Sequence, residues 1–353
     1  MAKTLGSGLG GFTAIVAQPT YGATFVTPTR TLYSKTNKPT FDPHIVQGGP
    51  YLAGGRVVDT GSAHVQTYQD AKGTLAGDMM NTGAALLLAT AFGSSAKLTQ
   101  SGTTTAYELG GTGGIELGAP EKNNEPNAKN GSQFDMQYAA PTTAGEQEAY
   151  NFHSCMVQKA VWVFDRTGLV TYSYDYDAQF VETSTGLITP SYTTTGVPFS
   201  MGQTASVFQI GPPGAEITLG GVRKITITVD HKLATDRIYL GQEYKEIPVS
   251  NGLIDVTVVA ECDYTEAART VLNTFLKNEP QALTCTAVGN AIGSSSKKDT
   301  LSMQVTNGFI QTGGEAPLDG PDIVKNTVTL KGTINAANEA AMKAKLITGD
   351  SQF

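Results

Sequence analysis

Cysteine, tryptophan and histidine are scarce in this chain: three, one and four residues among 353. Cys155, Cys262 and Cys285 are odd in number and show no C-x-x-C spacing. That argues against a disulfide framework or a zinc site and predicts reduced, buried thiols in a cytosolic assembly. Charge is thin as well, at 16% of residues, and the net charge is −7. A protein that grips nucleic-acid phosphates needs the opposite sign. The longest nearly apolar run, GAALLLATAF at 83–92, is about half of a membrane span, and no apolar h-region follows Lys3. These absences predict a soluble protein made in a cytoplasm, with no membrane insertion.

What is abundant is glycine, at 40 residues, together with threonine, valine and tyrosine. Few charges with many turn formers and β-branched residues predict a β-rich fold. Period-two segments bear this out along the chain. VWVF at 161–164 reads as a strand core containing Trp162, and LVTYSYDYDAQF at 169–180 follows the turn Arg166-Thr167-Gly168. In the latter, Val170, Tyr172, Tyr174 and Tyr176 share one face, and Thr171, Ser173, Asp175 and Asp177 the other. VRKITITVDHKL at 222–233 sets Ile225, Ile227 and Val229 against Thr226, Thr228 and Asp230. IDVTVVAEC at 254–262 alternates less cleanly and predicts a strand covered on both faces. VKNTVTLKGTI at 324–334 is a further strand. One apolar and one polar face per strand predict antiparallel sheets packed as a sandwich.

Helical patterns are few. Asn81 or Thr82 caps a helix running to about Phe92, and DYTE at 263–266 has the form of a capping box ahead of Ala268, Val271, Leu272, Phe275 and Leu276. A third helix is predicted over 336–346. The succession strand, helix, strand occurs twice: AHVQTY, the helix at 82–92 and Lys97-Leu98-Thr99, then 254–262, the helix at 265–277 and ALTCTA at 282–287. This predicts an internal duplication. The Thr-, Ser- and Pro-rich stretch at 184–202 supplies the boundary, and 110–131 reads as a long exposed loop.

None of the catalytic or ligand motifs is complete. GSGLGG at 6–11 satisfies G-x-G-x-x-G through Gly6, Gly8 and Gly11, but only five residues precede it. FTAIVAQ and Pro19 follow, so the strand before and the helix after a dinucleotide loop are both missing. A flexible Gly-rich arm over residues 1–20 is the better reading, and no cofactor is predicted. Asp230 and His231 are adjacent in a strand and point to opposite faces, which breaks any dyad. His153 and Cys155 give two metal ligands where a closed site needs four. Asp175 and Asp177 have a spacing compatible with paired glycosidase carboxylates, yet no aromatic sugar platform accompanies them. The sequon at Asn130 reads as a loop.

The order of these segments resembles the tail tube proteins of long-tailed bacteriophages. The likeness runs through the N-terminal arm and YGAT at 21–24, through Gly48-Gly49, Gly54-Gly55 and the helix GAALLLATAFG, and through TAYE at 105–108. It continues through the long loop, SCMVQKAVWVF, VRKITITVDHKL and DYTEAARTVLNTFLKNEP. The resemblance implies a mainly β, antiparallel β-sandwich tail-tube fold with flanking α-helices. With the duplication, it implies two tandem tube-like domains, 21–195 and 196–353, after an arm at 1–20. It also implies a structural, non-enzymatic virion protein, assembled in the host cytoplasm, whose stacked rings surround a channel through which DNA passes without specific binding. Two domains per chain imply trimeric rings with pseudo-sixfold symmetry, and one domain implies hexamers. A tape-measure protein and tail-end and tail-tip proteins are the implied partners.

The polar faces Ser173, Asp175, Asp177 and Thr226, Thr228, Asp230 are then candidates to line the lumen. Gly6, Gly8, Gly10, Gly11 and Phe12 are candidates for an arm between rings. A capsid-decorating or receptor-binding module is the alternative, and a hydrolase using Asp175 and Asp177 comes third.

Overall fold

The computed structural model describes residues 11–47, 64–94, 96–101, 105–117, 133–141, 146–183, 186–192, 196–203, 205–266, 269, 270, 273, 276–312, 325–334 and 340–351. The chain opens with β1 (Phe12–Gln18), β2 (Arg30–Leu32), β3 (Ser34–Asp42), β4 (Ile45–Gln47), β5 (His64–Gln66), β6 (Asp70–Asp78) and helix α1 (Ala84–Ala91). Next come β7 (Leu98–Gln100), β8 (Tyr107–Leu109), β9 (Ile115–Leu117), β10 (Gln133–Pro141), β11 (Gln147–Asp165), β12 (Thr171–Ala178) and β13 (Phe180–Glu182). They are followed by β14 (Val207–Gly211), β15 (Ile217–Thr218), β16 (Val222–Asp230), β17 (Leu233–Ala234) and β18 (Val249–Ser250). The last strands are β19 (Asp255–Asp263), β20 (Gln281–Ala291), β21 (Lys298–Thr312), β22 (Lys325–Gly332) and β23 (Met342–Thr348). The fold is mainly β and antiparallel, as the alternating pattern predicts.

Eight strands form one continuous antiparallel run, β3-β6-β12-β11-β16-β19-β22-β21. Its covered face carries Leu75, Tyr174, Trp162, Phe164, Ile227, Val258 and Leu330, all buried. That face packs on a second set of strands including β1, β10, β20 and β23. Burying such a set of apolar side chains, each contributing about 1.5–3 kcal/mol, is the main force holding the layers together. Trp162 lies in this core as expected, its indole N–H donating to the Tyr174 hydroxyl at 3.0 Å.

The run consists of two four-strand ladders with matching details. Asp42 faces Asp70 in the first, and Asp230 faces Asp255 in the second. The opening strand is bulged at Ser34/Thr36 in one ladder and at Val222/Lys224 in the other. A second bulge falls at Val157/Lys159 and again at Ile310/Thr312. The helix α1 follows β6, and helical residues from Glu266 follow β19. The C-terminal half of β11 joins the ladders by pairing with β16, from Lys159 opposite Asp230 to Asp165 opposite Lys224.

Several expectations need correction. The segment 336–346 is not a helix over its described part: Met342–Thr348 is a strand with Met342, Ala344, Leu346 and Thr348 buried. Its Ala, Met, Lys and Leu favour helices in isolation, but pairing with β21 decides the outcome. Phe12 is not part of a mobile arm. It begins β1, buried and paired with β10, and β2 covers the other edge of β1. Gly6, Gly8 and Gly10 lie outside the described residues, and Gly11 directly precedes β1. The strand β19 is not covered on both faces, because Asp255, Thr257, Val259 and Glu261 alternate regularly with buried neighbours. Val259 on the open face is what blurred the pattern. AHVQTY does contain a strand, β5, but the strand directly before α1 is β6, whose DAKGTLAGD has little β propensity. The described start of the expected long loop is not loop throughout: Gly110–Gly114 forms a turn leading into β9, which pairs with β23, and 118–131 lie outside the described residues.

The fully buried α1 has no side-chain cap. The Asp350 carboxylate instead accepts the Gly83 N–H at 3.0 Å, satisfying one of the free donors at the helix start.

Candidate functional site

The eight-strand run leaves one face open, and the register decides which sequence candidates lie on it. Ser173, Asp175, Thr226, Thr228 and Asp230 do, each alternating with a buried neighbour. Val161 lies between Ser173 and Thr228, and Lys159 between Asp175 and Asp230. The face is hydroxyl-rich, with Thr74, Thr171, Thr257, Thr327 and Thr329 in the same rows. It is not purely acidic. Three of its lysines sit beside carboxylates: Lys159 is opposite Asp175 and Asp230, Lys224 is opposite Asp165 and Glu261, and Lys331 is 3.4 Å from Asp255, whereas the exposed Lys38 is opposite Thr74. Burial alone would raise the Asp230 carboxyl, but its hydrogen bonds from Lys232 and the nearby Lys159 draw it below the ordinary range. The Thr74 hydroxyl donates to Asp175 at 2.8 Å.

Asp177 departs from the expectation. It shares the alternation of Asp175 but is buried under Lys245, an ammonium only 2% exposed. Lys245 Nζ lies 2.5 Å from both Asp177 and Asp70. Burial pushes the Asp177 carboxyl up to about 6, a stronger effect than the opposing pull of Lys245. Asp70, less buried and hydrogen-bonded by both Lys245 and Lys72, is drawn down despite its own desolvation.

Around Lys245 the connection between β17 and β18 is fastened across the first ladder. The Gln69 N–H donates to the Glu243 carbonyl, and the Gln179 amide donates to the Lys245 carbonyl. Tyr244 stacks on Phe180 with ring centres 4.3 Å apart. Nothing in the motif content singled out Lys245. Its role comes from a contact between residues 68 positions apart.

The remaining motif residues are held separately. His231 is buried and its Nε2 lies 2.8 Å from the Ala91 carbonyl, whereas Asp230 turns to Lys232. The two form no dyad, and burial lowers the imidazole's affinity for a second proton. His153 stacks on Phe180 and meets Glu182 at 3.1 Å, while the Cys155 thiol donates to the Phe152 carbonyl. Ser154 between them has a positive φ of 50°, which breaks the alternation that would align the two. Among the described residues no group of three or more His, Cys, Asp or Glu side chains converges as a metal site would require. The three cysteines are free and buried.

A second buried carboxylate, Asp135, was also hidden in the sequence. Burial raises it, while the N–H groups of Val26 and Ser154 and the Gln18 amide hold it at 2.7, 2.7 and 2.8 Å. It ties the approach to β2 against β10 and β11.

A cleft of about 720 Å³ lies between Arg30, Asn81, Asn290, Asp299 and Asp350. Its carboxylates are engaged within the protein: Asp299 accepts from Asn81 and the Gly349 N–H, and Asp350 pairs with Arg30. No helix among the described residues is long and apolar enough to cross a membrane.

The prominent feature is thus an open, hydroxyl-rich sheet face with charges of both signs, bounded at one side by β3. That strand pairs with β6 alone among the described residues. A search of curated proteins gives no match. A family model described as phage tail tube protein matches residues 8–332, nearly the whole sequence. The chain belongs to the phage tail tube protein family.

Proposed function

We propose that three copies of this chain close into a ring, that rings stack into the tail tube, and that the open sheet face lines the channel for DNA. The family match makes the chain a structural tail component. The ring reading rests on one observation: the intramolecular pairing of β11 with β16. The second ladder begins with β16, which has a neighbour on both edges, while β3 begins the first ladder with one edge open among the described residues. If the two ladders mark two tube-like domains, meeting near 184–202, β3 of one copy fits beside the β21 flank of the next. Main-chain hydrogen bonds would extend the sheet from subunit to subunit, and ring closure removes the exposed edge. Three copies then provide twenty-four strands.

The channel wall fits DNA passage because Lys159, Lys224 and Lys331 are each set against a carboxylate. Free cations would bind phosphates and retard the polymer, while a net negative chain disfavours adsorption. A tape-measure protein occupying the channel during assembly, and proteins closing the tube at the tail end and tail tip, complete the reading. So does assembly in the host cytoplasm.

Electron micrographs of the purified protein provide the test. Hollow tubes whose cross-sections contain three chains per ring are the expected result. Six chains per ring would overturn the stoichiometry, and protein that stays monomeric at high concentration would overturn the tube reading itself.

A further inference from the structure

The connection joining the first two strands of each ladder provides a local comparison. After Asp42 comes His44 with φ 35°, and after Asp230 comes Lys232 with φ 50°. In each case the aspartate Oδ1 accepts that residue's N–H at 2.9 Å. Each connection then forms a small hairpin, β4 with β5 in the first and β17 with β18 in the second. Non-glycine residues rarely adopt positive φ, so this shared turn is a specific correspondence.

The hairpins differ in what covers them. Leu233 is 6% exposed, whereas Ile45, at the same place in the first hairpin, is 58% exposed. Val46 and Val65, facing each other across β4 and β5, are also exposed. The second connection is fastened to the first ladder through Lys245, Glu243 and Tyr244, as described above. Counting along the matched strands, Asp70, Asp177 and Phe180 correspond to Asp255, Lys331 and Ile334. Phe180 is stacked under Tyr244, but Ile334 and the Lys331 side chain remain open to solvent. Among the described residues, an apolar hairpin without a cover and a receiving surface without a hairpin therefore occur on the same molecule.

We infer that the β4–β5 hairpin of one copy docks on the second ladder of the neighbouring copy, against Ile334 and the Asp255–Lys331 pair. The partner is a second copy of this chain, and the contact is the intermolecular counterpart of the fastening that joins the two ladders within one chain. This contact rests on the ring reading, and it adds a strap that reaches beyond the paired strand edges. Such a heterologous contact repeats around a closed ring, with every copy giving one hairpin and receiving another. Burying Val46 and Val65, which share one face of the hairpin, supplies the apolar drive that the isolated subunit lacks.

A double cysteine variant, Val65→Cys with Ile334→Cys, treated with a flexible bismaleimide tests the contact. The native cysteines are buried, so labelling is directed to the new thiols. Assembled protein should yield covalent dimers and trimers, and dissociated protein should yield none. In parallel, Val46→Asp/Val65→Asp should raise the protein concentration needed for assembly at least tenfold, with the thermal unfolding of the separate subunit unchanged. Ile334→Asp should do the same from the receiving side. If wild-type tubes form, the thiols do not cross-link between copies, and both variants assemble like wild type, the strap is wrong while the ring reading stands. If the wild-type chain forms no rings, both fall together.

Discussion

Lys245 illustrates how much one side chain can decide when solvent is excluded. Its ammonium is held by two carboxylates from the first ladder, so removing it leaves Asp70 and Asp177 facing each other without a counter-charge. Lys245→Met should destabilise the subunit by about 3–5 kcal/mol, read from the urea midpoint, because breaking a buried pair strands the remaining charge. An unchanged midpoint would show that the fastening carries little of the stability. Asp177 adds a pH dependence of definite sign. Its folded-state affinity for a proton is raised to about 6 by burial, while the unfolded carboxyl titrates near about 3.9. The folded protein thus binds that proton more tightly. The contribution of this group to stability is fully present below about pH 4 and is lost as pH rises through about 6. Asp177→Asn should flatten that decline in unfolding measurements between those values. An identical pH profile in the variant would exclude Asp177 as its source. Sequence patterning puts Asp177 in the row of Ser173 and Asp175, yet the side chain is buried. The pattern could not show that Lys245 lies over it, because nothing local links residues so far apart.

At the level of elements, the alternating strands were legible wherever one face carried large apolar residues, as in ITITV at 225–229 and YSYDY at 172–176. Legibility failed where residue type and environment disagreed. β6, DAKGTLAGD, has Leu75 as its one large apolar residue and exists because β3 and β12 pair with it on both edges. β23 reads as helix by composition, yet its partner β21 imposes a period of two. That period has a measurable consequence. Leu346→Ala should cost about 2–5 kcal/mol because the side chain is fully buried. Its neighbour Lys345→Ala should stay within about 0.5 kcal/mol. Comparable losses at both positions in chemical denaturation would contradict the strand. The N-terminal boundary can be tested in the same way. Deleting residues 1–11 leaves β1 complete, so subunit stability should be unchanged while stacking of rings weakens. Extending the deletion through Gln18 removes a strand paired on both sides and should abolish folding. Tubes of undiminished stability from the shorter deletion would rule out a docking role for the arm.

For the whole molecule, the matched bulges and turns give the two ladders a common plan that residue identity hardly reveals. Serine at 34 occupies the place of Val222, and His44 that of Lys232. The likeness lies in backbone geometry and not in the amino acids. The open face follows the same logic, since its polarity was readable strand by strand but its charge balance was not. Lys159 comes to lie between Asp175 and Asp230 only because β11 pairs with β12 on one edge and β16 on the other. If that face lines the channel, its balance governs how freely DNA moves. Asp175→Lys combined with Asp230→Lys would leave Lys159 with cationic neighbours, replacing two carboxylates by two ammonium groups in every copy. Both positions are on the open face, so folding and ring formation should persist with a modest loss of subunit stability. The altered wall would attract phosphates, and the effect should weaken as salt screens it. Phage carrying the double substitution should assemble tails but release DNA more slowly at low ionic strength, with the difference shrinking at high salt. Equal release rates at both ionic strengths would place this face away from the DNA path and assign it to the outside of the tube.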